Sequence, residues 1–162
     1  MNHICLTPEE AKQAAELPVG GKMMLSRKLK KQPPKGYDFS FTLQTNEALF
    51  QYINEDCPEE DDNLFIKLQL QYPVGIVLAG KEIWARGYKD WGHSQHVDFD
   101  CYNYKVDAYR SRFYSAFESP AIMLREAVRS WLMVIGNRIV KRDGVYTEVL
   151  QLKKVEKDES IR

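Results

Sequence analysis

Cysteine is scarce in this chain, and its apolar runs are short. The 162 residues include three cysteines, Cys5, Cys57 and Cys101, which are scattered and odd in number. They provide neither a disulfide framework nor a CxxC metal knuckle, so we expect a cytoplasmic protein. The longest apolar run, around residues 131–135, is far shorter than a membrane span, and the N-terminus lacks the pattern of a signal peptide. We therefore expect no membrane partner.

The sequence also lacks an excess of charge of either sign. Its 23 Lys and Arg residues balance 23 Asp and Glu residues, so no global field favours nucleic acid or a membrane surface. The charges are nevertheless unevenly distributed, because residues 22–35 hold six cations and no acid, whereas residues 55–62 form an acidic run. A local basic face that binds an anionic partner is compatible with the balanced total.

Short motifs that mark common nucleotide-binding and hydrolytic sites are missing as well. The chain contains no GxxxxGK[ST], GxGxxG or GxSxG sequence. His93 and His96 lie three residues apart with Asp90 and Asp98 nearby, and two imidazoles with a carboxylate could bind zinc. Because the intervening segment has the composition of a loop, no helix fixes the geometry of these side chains. We favour a solvent-exposed loop there and expect no metal and no cofactor.

Two or three short helices are predicted. The first begins after Thr7, which can cap it while Glu10 completes a capping box, and it ends before Pro18, so residues 1–20 hold a helix and a glycine turn. A second is predicted from Asn46 to Ile53, and a third near residues 120–127. Each is too short to dominate the fold.

Alternating apolar and polar residues predict about six strands, one pair of which is joined by a hairpin turn at Asp143–Gly144. The strands do not alternate regularly with helices, as they would in a parallel α/β sheet. The sequence therefore predicts a single α+β domain over residues 1–162, a small and mainly antiparallel β-barrel with two or three short flanking helices. Residues 156–162 are expected to fray.

The basic segment GGKMMLSRKLKKQPP supplies the first candidate site residues. On a strand, Lys22 and Ser26 share one face and Arg27 lies on the other. A lysine with a hydroxyl can hold a phosphate or activate a nucleophile, and the two preceding glycines permit close approach of a ligand. The alternative is an edge strand that its lysines protect from aggregation.

Two aromatic segments supply further candidates. Alternation in GKEIWARGYKDW places Glu82 and Trp84 on one face of a strand, where an aromatic ring can stack a base beside a carboxylate. Tyr104 and Lys105 belong to a segment in which tyrosines alternate with cations, as in proteins that bind single strands. The alternatives are a core tryptophan with a salt-bridged rim and tyrosines that are ordinary strand residues.

Taken in order, these segments resemble the ASCH domain, a member of the PUA-like β-barrel superfamily, in the form common in phage and prophage proteins. GGKMMLSRKLKKQPP is similar to the family's Gly-Arg-Lys-Thr-x-Thr-Arg-Arg segment, which ends in Lys-Pro-Gln-Pro. VGIVLAGKEIW is similar to its Pro-Gly-Asp-x-Leu-Trp-Val-Arg-Glu-Thr-Trp, and YNYKVDAY to its Tyr-Lys-Ala-Asp. SPAIMLREAVR resembles its Ser-Pro-x-x-Met-Pro-x-x-Ala-Ser-Arg, with Arg129 at the final position.

The resemblance implies a PUA-like barrel, in the cytoplasm of a bacterial host, with a cleft lined by the basic segment, the Glu82 strand and Arg129. The superfamily is associated with RNA binding, and some small ASCH proteins are amidohydrolases that act on acetylated cytidine. The family's threonine-rich stretch is replaced here by Met23–Met24–Leu25, and Ser26 lies one position away from the expected hydroxyl. These departures favour binding over hydrolysis.

We therefore expect an RNA- or nucleotide-binding module. Its ligand-binding residues would be Lys22, Arg27, Glu82, Trp84, Tyr104, Lys105 and Arg129. One alternative is a small amidohydrolase of an acetylated nucleoside, with Lys22, Ser26 and Glu82 as catalytic residues. Another is a non-catalytic phage accessory protein that acts through protein contacts. The sequence leaves open whether any reaction is catalysed, and it does not predict an oligomeric state.

Overall fold

A computed structural model of the chain describes residues 2–53, 64–89, 97–104 and 118–157. The acidic run, the histidine segment at residues 93–96, Lys105 and the last residues of the expected frayed tail lie outside the described residues. Two compact units make up the chain. Unit 1 comprises Met1–Met23, Val77–Met133 and Lys153–Arg162, and unit 2 comprises Met24–Ile76 and Val134–Leu152.

The described residues form one α-helix and ten strands. The helix is α1 (Pro8–Glu16), and the strands are β1 (His3–Cys5), β2 (Lys22–Lys28), β3 (Tyr37–Thr42), β4 (Glu47–Tyr52), β5 (Phe65–Gln69), β6 (Val77–Lys81), β7 (Trp84–Lys89), β8 (Val97–Tyr104), β9 (Ser130–Arg142) and β10 (Val145–Val155). No helix in this part of the chain is long and apolar enough to cross a lipid bilayer.

Helix α1 begins as its sequence predicts. The Thr7 hydroxyl accepts a hydrogen bond from the Glu10 amide at 3.3 Å, and the Glu10 carboxylate accepts one from the Thr7 amide at 2.9 Å. This reciprocal capping box satisfies two of the amides that a helix start leaves without partners. The helix ends at an extended Leu17, immediately before Pro18. Its capping box and its end are therefore confirmed.

The strands pair into three sheets. A five-stranded sheet has the order β1-β6-β9-β10-β2, a three-stranded sheet the order β3-β4-β5, and a two-stranded sheet pairs β7 with β8. Strand β1 runs parallel to β6, whereas the pairs β6–β9, β3–β4, β4–β5 and β7–β8 are antiparallel. The α+β and mainly antiparallel character is confirmed. Among the described strands, the pairing closes none of the three sheets into a ring.

The hairpin turn between β9 and β10 is also confirmed. Asp143 and Gly144 have φ values of 50° and 77°. Two successive positive φ values are those of a type I′ turn, whose twist matches that of the flanking strands.

The helix predicted from Asn46 to Ile53 is wrong, because the segment forms strand β4. Ala48 and Phe50 are fully buried and alternate with more accessible neighbours, which is the period of a strand. Asn46 does not cap a helix but has a φ of 62° in the turn between β3 and β4. Its left-handed conformation is one that asparagine adopts more readily than most residues.

The helix predicted near residues 120–127 is wrong as well. The segment forms two short 3₁₀ turns, Pro120–Ile122 and Arg125–Ala127, although Ser119 does cap the first by accepting a hydrogen bond from the Ala121 amide at 3.2 Å. Met123 between them is extended and 4% exposed, so its side chain packs inward. The extended and buried Met123 separates the two turns, so the segment does not form one continuous helix.

The number of strands also exceeds the predicted six. Strand β1 has only three residues, too few for a periodic signal, and the single strand predicted to carry Glu82 and Trp84 is divided into β6 and β7. Glu82 therefore lies in the connection between two strands and not within one.

Each unit has its own buried cluster. The cluster of unit 1 consists of Ala79, Trp84, Met123, Ala127, Val128 and Trp131. The cluster of unit 2 consists of Leu29, Ala48, Phe50, Leu68, Leu70, Ile139 and Tyr146.

Candidate anion-binding centre around Arg129

Glu82 and Arg129, which are 47 residues apart, form a bidentate ion pair in unit 1. Arg129 Nε donates to Glu82 Oε2 at 3.0 Å, and Arg129 Nη2 donates to Glu82 Oε1 at 2.9 Å. Glu82 is 1% exposed, whereas the Arg129 side chain is 24% exposed. The planar guanidinium matches the two carboxylate oxygens, so the buried acid fixes the orientation of a cation that still reaches solvent.

Tyr104 supports the same guanidinium from one face. The Arg129 guanidinium carbon lies 4.0 Å from the centroid of the Tyr104 ring, a cation–π distance. The Tyr104 hydroxyl donates to the Ala127 carbonyl at 2.5 Å, which ties the end of β8 to the segment that precedes Arg129. Arg129 is thus held by contacts from two other parts of the chain.

Lys154 adds a second cation. Its ammonium donates to the carbonyls of Ala14 at 2.8 Å and Ala15 at 3.4 Å, in the last turn of α1, which has no basic residue of its own. Burial, and then the positive charge of Arg129, lower the pKa of Lys154, while Glu82 acts in the opposite direction. We call Glu82, Tyr104, Arg129 and Lys154 the Arg129 centre. It holds two cations and one carboxylate.

Trp84 lies in the core of unit 1. It is 5% exposed, and its indole nitrogen donates to the Ser119 carbonyl at 3.3 Å. Its arrangement matches the alternative of a core tryptophan beside a salt bridge, and its ring is not exposed for stacking on a base.

The candidates of the basic segment lie on β2, at an edge of the five-stranded sheet. Lys22 and Ser26 are exposed and alternate with buried Met23 and Leu25, so the predicted division of faces is confirmed. The Ser26 hydroxyl accepts a hydrogen bond from Arg142 at 3.3 Å. This placement agrees with an edge strand that its charged residues protect.

Arg27 and Lys105 complete the predicted set. Arg27 is partly buried, and its Nη1 donates to the carbonyl of the preceding Ser26 at 2.8 Å. Lys105 lies outside the described residues. Of the predicted residues, the structure thus joins Glu82, Tyr104 and Arg129 in direct contact.

Sequence reasoning missed Lys154. The available signal was the alternation of Leu150, Leu152 and Lys154, which places a lysine on the same strand face as two leucines that are fully buried. A lysine at that position must find a partner for its ammonium. Only the fold shows that this partner is the end of α1.

The part of the chain that the structure describes contains no group of three or more His, Cys, Asp or Glu side chains that could hold a metal ion. Comparisons with protein-family models, with curated proteins and with solved structures found no match.

Proposed function

We propose that this protein is an RNA- or nucleotide-binding module, an ASCH-type PUA-like β-barrel of phage or prophage origin that acts in the bacterial cytoplasm. The observation that supports the proposal most directly is the bidentate Glu82–Arg129 pair, which orients a partly exposed guanidinium over Tyr104. A phosphate oxygen of the ligand would be held at this guanidinium.

The charge of the Arg129 centre supports an anionic ligand. Glu82 neutralises one of its two cations, so one positive charge is in excess among partly buried groups. Electrostatic attraction is stronger there than in bulk water, because protein replaces part of the high-dielectric solvent. Arg129 is already fixed by its neighbours, so binding a phosphate would cost little additional side-chain ordering.

The same geometry favours binding over hydrolysis. Both carboxylate oxygens of Glu82 accept hydrogen bonds from Arg129, so both are engaged by the guanidinium. A general base needs a lone pair directed at a substrate proton. Glu82 is better suited to positioning Arg129 than to transferring protons.

The proposal is tested by fluorescence anisotropy with a short unstructured RNA. We expect binding at low salt and a linear fall of log K with log salt concentration between about 50 and 200 mM, because phosphate contacts release counterions. Arg129→Lys keeps the charge but loses the bidentate geometry, and we expect it to weaken binding about tenfold, or about 1.4 kcal/mol.

Arg138→Lys is the matched control, since Arg138 is an exposed arginine on β9. It should bind as the parent protein does. Absence of RNA binding at low salt, or an equal effect of the two substitutions, would count against the proposal. The first of these results would favour the alternative of a protein-contact role.

A further inference from the structure

A second feature, separate from the Arg129 centre, is a cleft in unit 2 of about 370 Å³. Its walls are the segment that follows β2 and the hairpin between β9 and β10. The lining residues are Gln32, Pro33, Pro34, Lys35, Gly36, Tyr37, Lys141, Gly144, Val145 and Tyr146. The volume falls in the range of about 300–1,000 Å³ that small-molecule sites occupy.

The Gln32 side chain fixes one wall against the other. Its amide nitrogen donates to the carbonyls of Leu29 at 2.7 Å and Tyr146 at 2.9 Å, and its amide oxygen accepts from the Tyr146 amide at 2.8 Å. The side chain therefore pairs with the backbone of β10 as a neighbouring strand would. This joins the Pro33–Pro34 segment to the hairpin.

Tyr146 is equally constrained. Its hydroxyl donates to Asp38 at 2.6 Å and accepts from the Phe39 amide at 3.2 Å, and its ring packs edge-on against Phe50 at 5.0 Å. Gly36 has a φ of 96°, and a β-carbon at this position would lie 2.9 Å from the Tyr52 ring. The cleft is formed before any ligand arrives, which reduces the entropic cost of binding.

The chemistry of the walls favours an anion with a flat ring. Lys35 and Lys141 contribute two ammonium groups, and no acidic residue occurs among the described residues that line the cleft. Asp38 accepts a hydrogen bond from the Tyr146 hydroxyl and forms an ion pair with the Lys141 ammonium at 3.6 Å, so it offsets one of the two positive charges. Pro33, Pro34 and Tyr37 add apolar and aromatic surface, on which a planar ring can pack.

We propose that this cleft is a second binding site, for a nucleoside monophosphate unit. The base packs against the prolines and Tyr37, while the ammonium groups of Lys35 and Lys141 contact the phosphate oxygens. The same chemical unit can come from a free nucleotide or from the phosphorylated end of an RNA strand. This cleft is a different site from the Arg129 centre, with its own lining residues.

The test is an NMR titration of the isotopically labelled full chain with uridine monophosphate and, separately, with a short 5′-phosphorylated RNA. We expect the largest shifts at the amides of Gly36, Gly144 and Val145. A response to the mononucleotide alone identifies a free nucleotide as the ligand, and a response to the RNA alone identifies a strand end. Uridine, which lacks the phosphate, should bind at least about tenfold more weakly, since two cation contacts are lost.

The paired variant Lys35→Gln/Lys141→Gln should weaken the mononucleotide about tenfold, while Lys67→Gln, at an exposed lysine of β5, should leave it unchanged. Shifts confined to residues 127–131 would overturn the cleft proposal and leave the proposed function standing. Shifts in the cleft without any RNA binding at Arg129 would support the cleft proposal and overturn the proposed function. Equal weakening by Lys67→Gln, or equal binding of uridine, would also overturn the cleft proposal.

Discussion

Replacing Arg129 by methionine should strongly destabilise unit 1, because it removes the guanidinium and leaves the Glu82 carboxylate in place. Glu82 is 1% exposed and would remain as a buried carboxylate without its bidentate partner. Breaking a buried ion pair in this way costs about 3–5 kcal/mol. A domain of this size loses about 2–4 °C of Tm per kcal/mol, so Tm should fall by about 6–20 °C.

Urea denaturation and calorimetry would measure this loss. The double variant Glu82→Leu/Arg129→Met removes both members of the pair, and we expect it to be more stable than Arg129→Met alone, because no buried carboxylate is left without its partner. A loss below about 1 kcal/mol for Arg129→Met, typical of a surface pair, would refute the reasoning. So would a double variant whose loss equals the sum of the two single losses.

Three further predictions concern unit 2. Burial raises the pKa of Glu148 above its ordinary 4.5, so its contribution to stability is present below the unfolded pKa and is lost as pH rises through the folded pKa. The free energy of unfolding of Glu148→Gln, relative to that of the parent, should therefore be higher at pH 8 than at pH 4. An equal difference at the two pH values in urea titrations would contradict this. Tyr146→Phe removes the hydrogen bond that lowers the pKa of Asp38, and an NMR titration should show that pKa rise. Gly36→Ala should destabilise more than Gly20→Ala in thermal unfolding, because both have positive φ but only Gly36 faces a tyrosine ring.

Local chemistry explains which elements the sequence predicts well. The capping box of α1 uses residues three positions apart, and the faces of β2 follow from alternation alone. The segment 46–53 was misassigned because Asn46 is favoured both as a helix cap and in a left-handed turn. Pairing with the neighbouring strands β3 and β5 decides between the helix and the strand. Those strands are formed by other parts of the chain.

The site arginine could not be identified from the residues around it in the sequence. Within SPAIMLREAVR, nothing in residue type or spacing distinguishes Arg125 from Arg129. In the structure, the Arg125 guanidinium lies 5.4 Å from the Trp131 ring centroid, whereas Arg129 pairs with Glu82 from 47 residues away. Of the two arginines, the predicted resemblance selects Arg129, whereas periodicity selects neither.

The end of α1 anchors the second cation of the Arg129 centre. Pro18 stops the helix and leaves the last-turn carbonyls with partial negative charge. Lys154 donates to two of them, at Ala14 and Ala15, while both carboxylate oxygens of Glu82 accept hydrogen bonds from Arg129. A carboxylate shared equally between two cations could not orient the guanidinium as firmly. The helix end thus anchors Lys154 in the Arg129 centre, and Glu82 positions the guanidinium of Arg129.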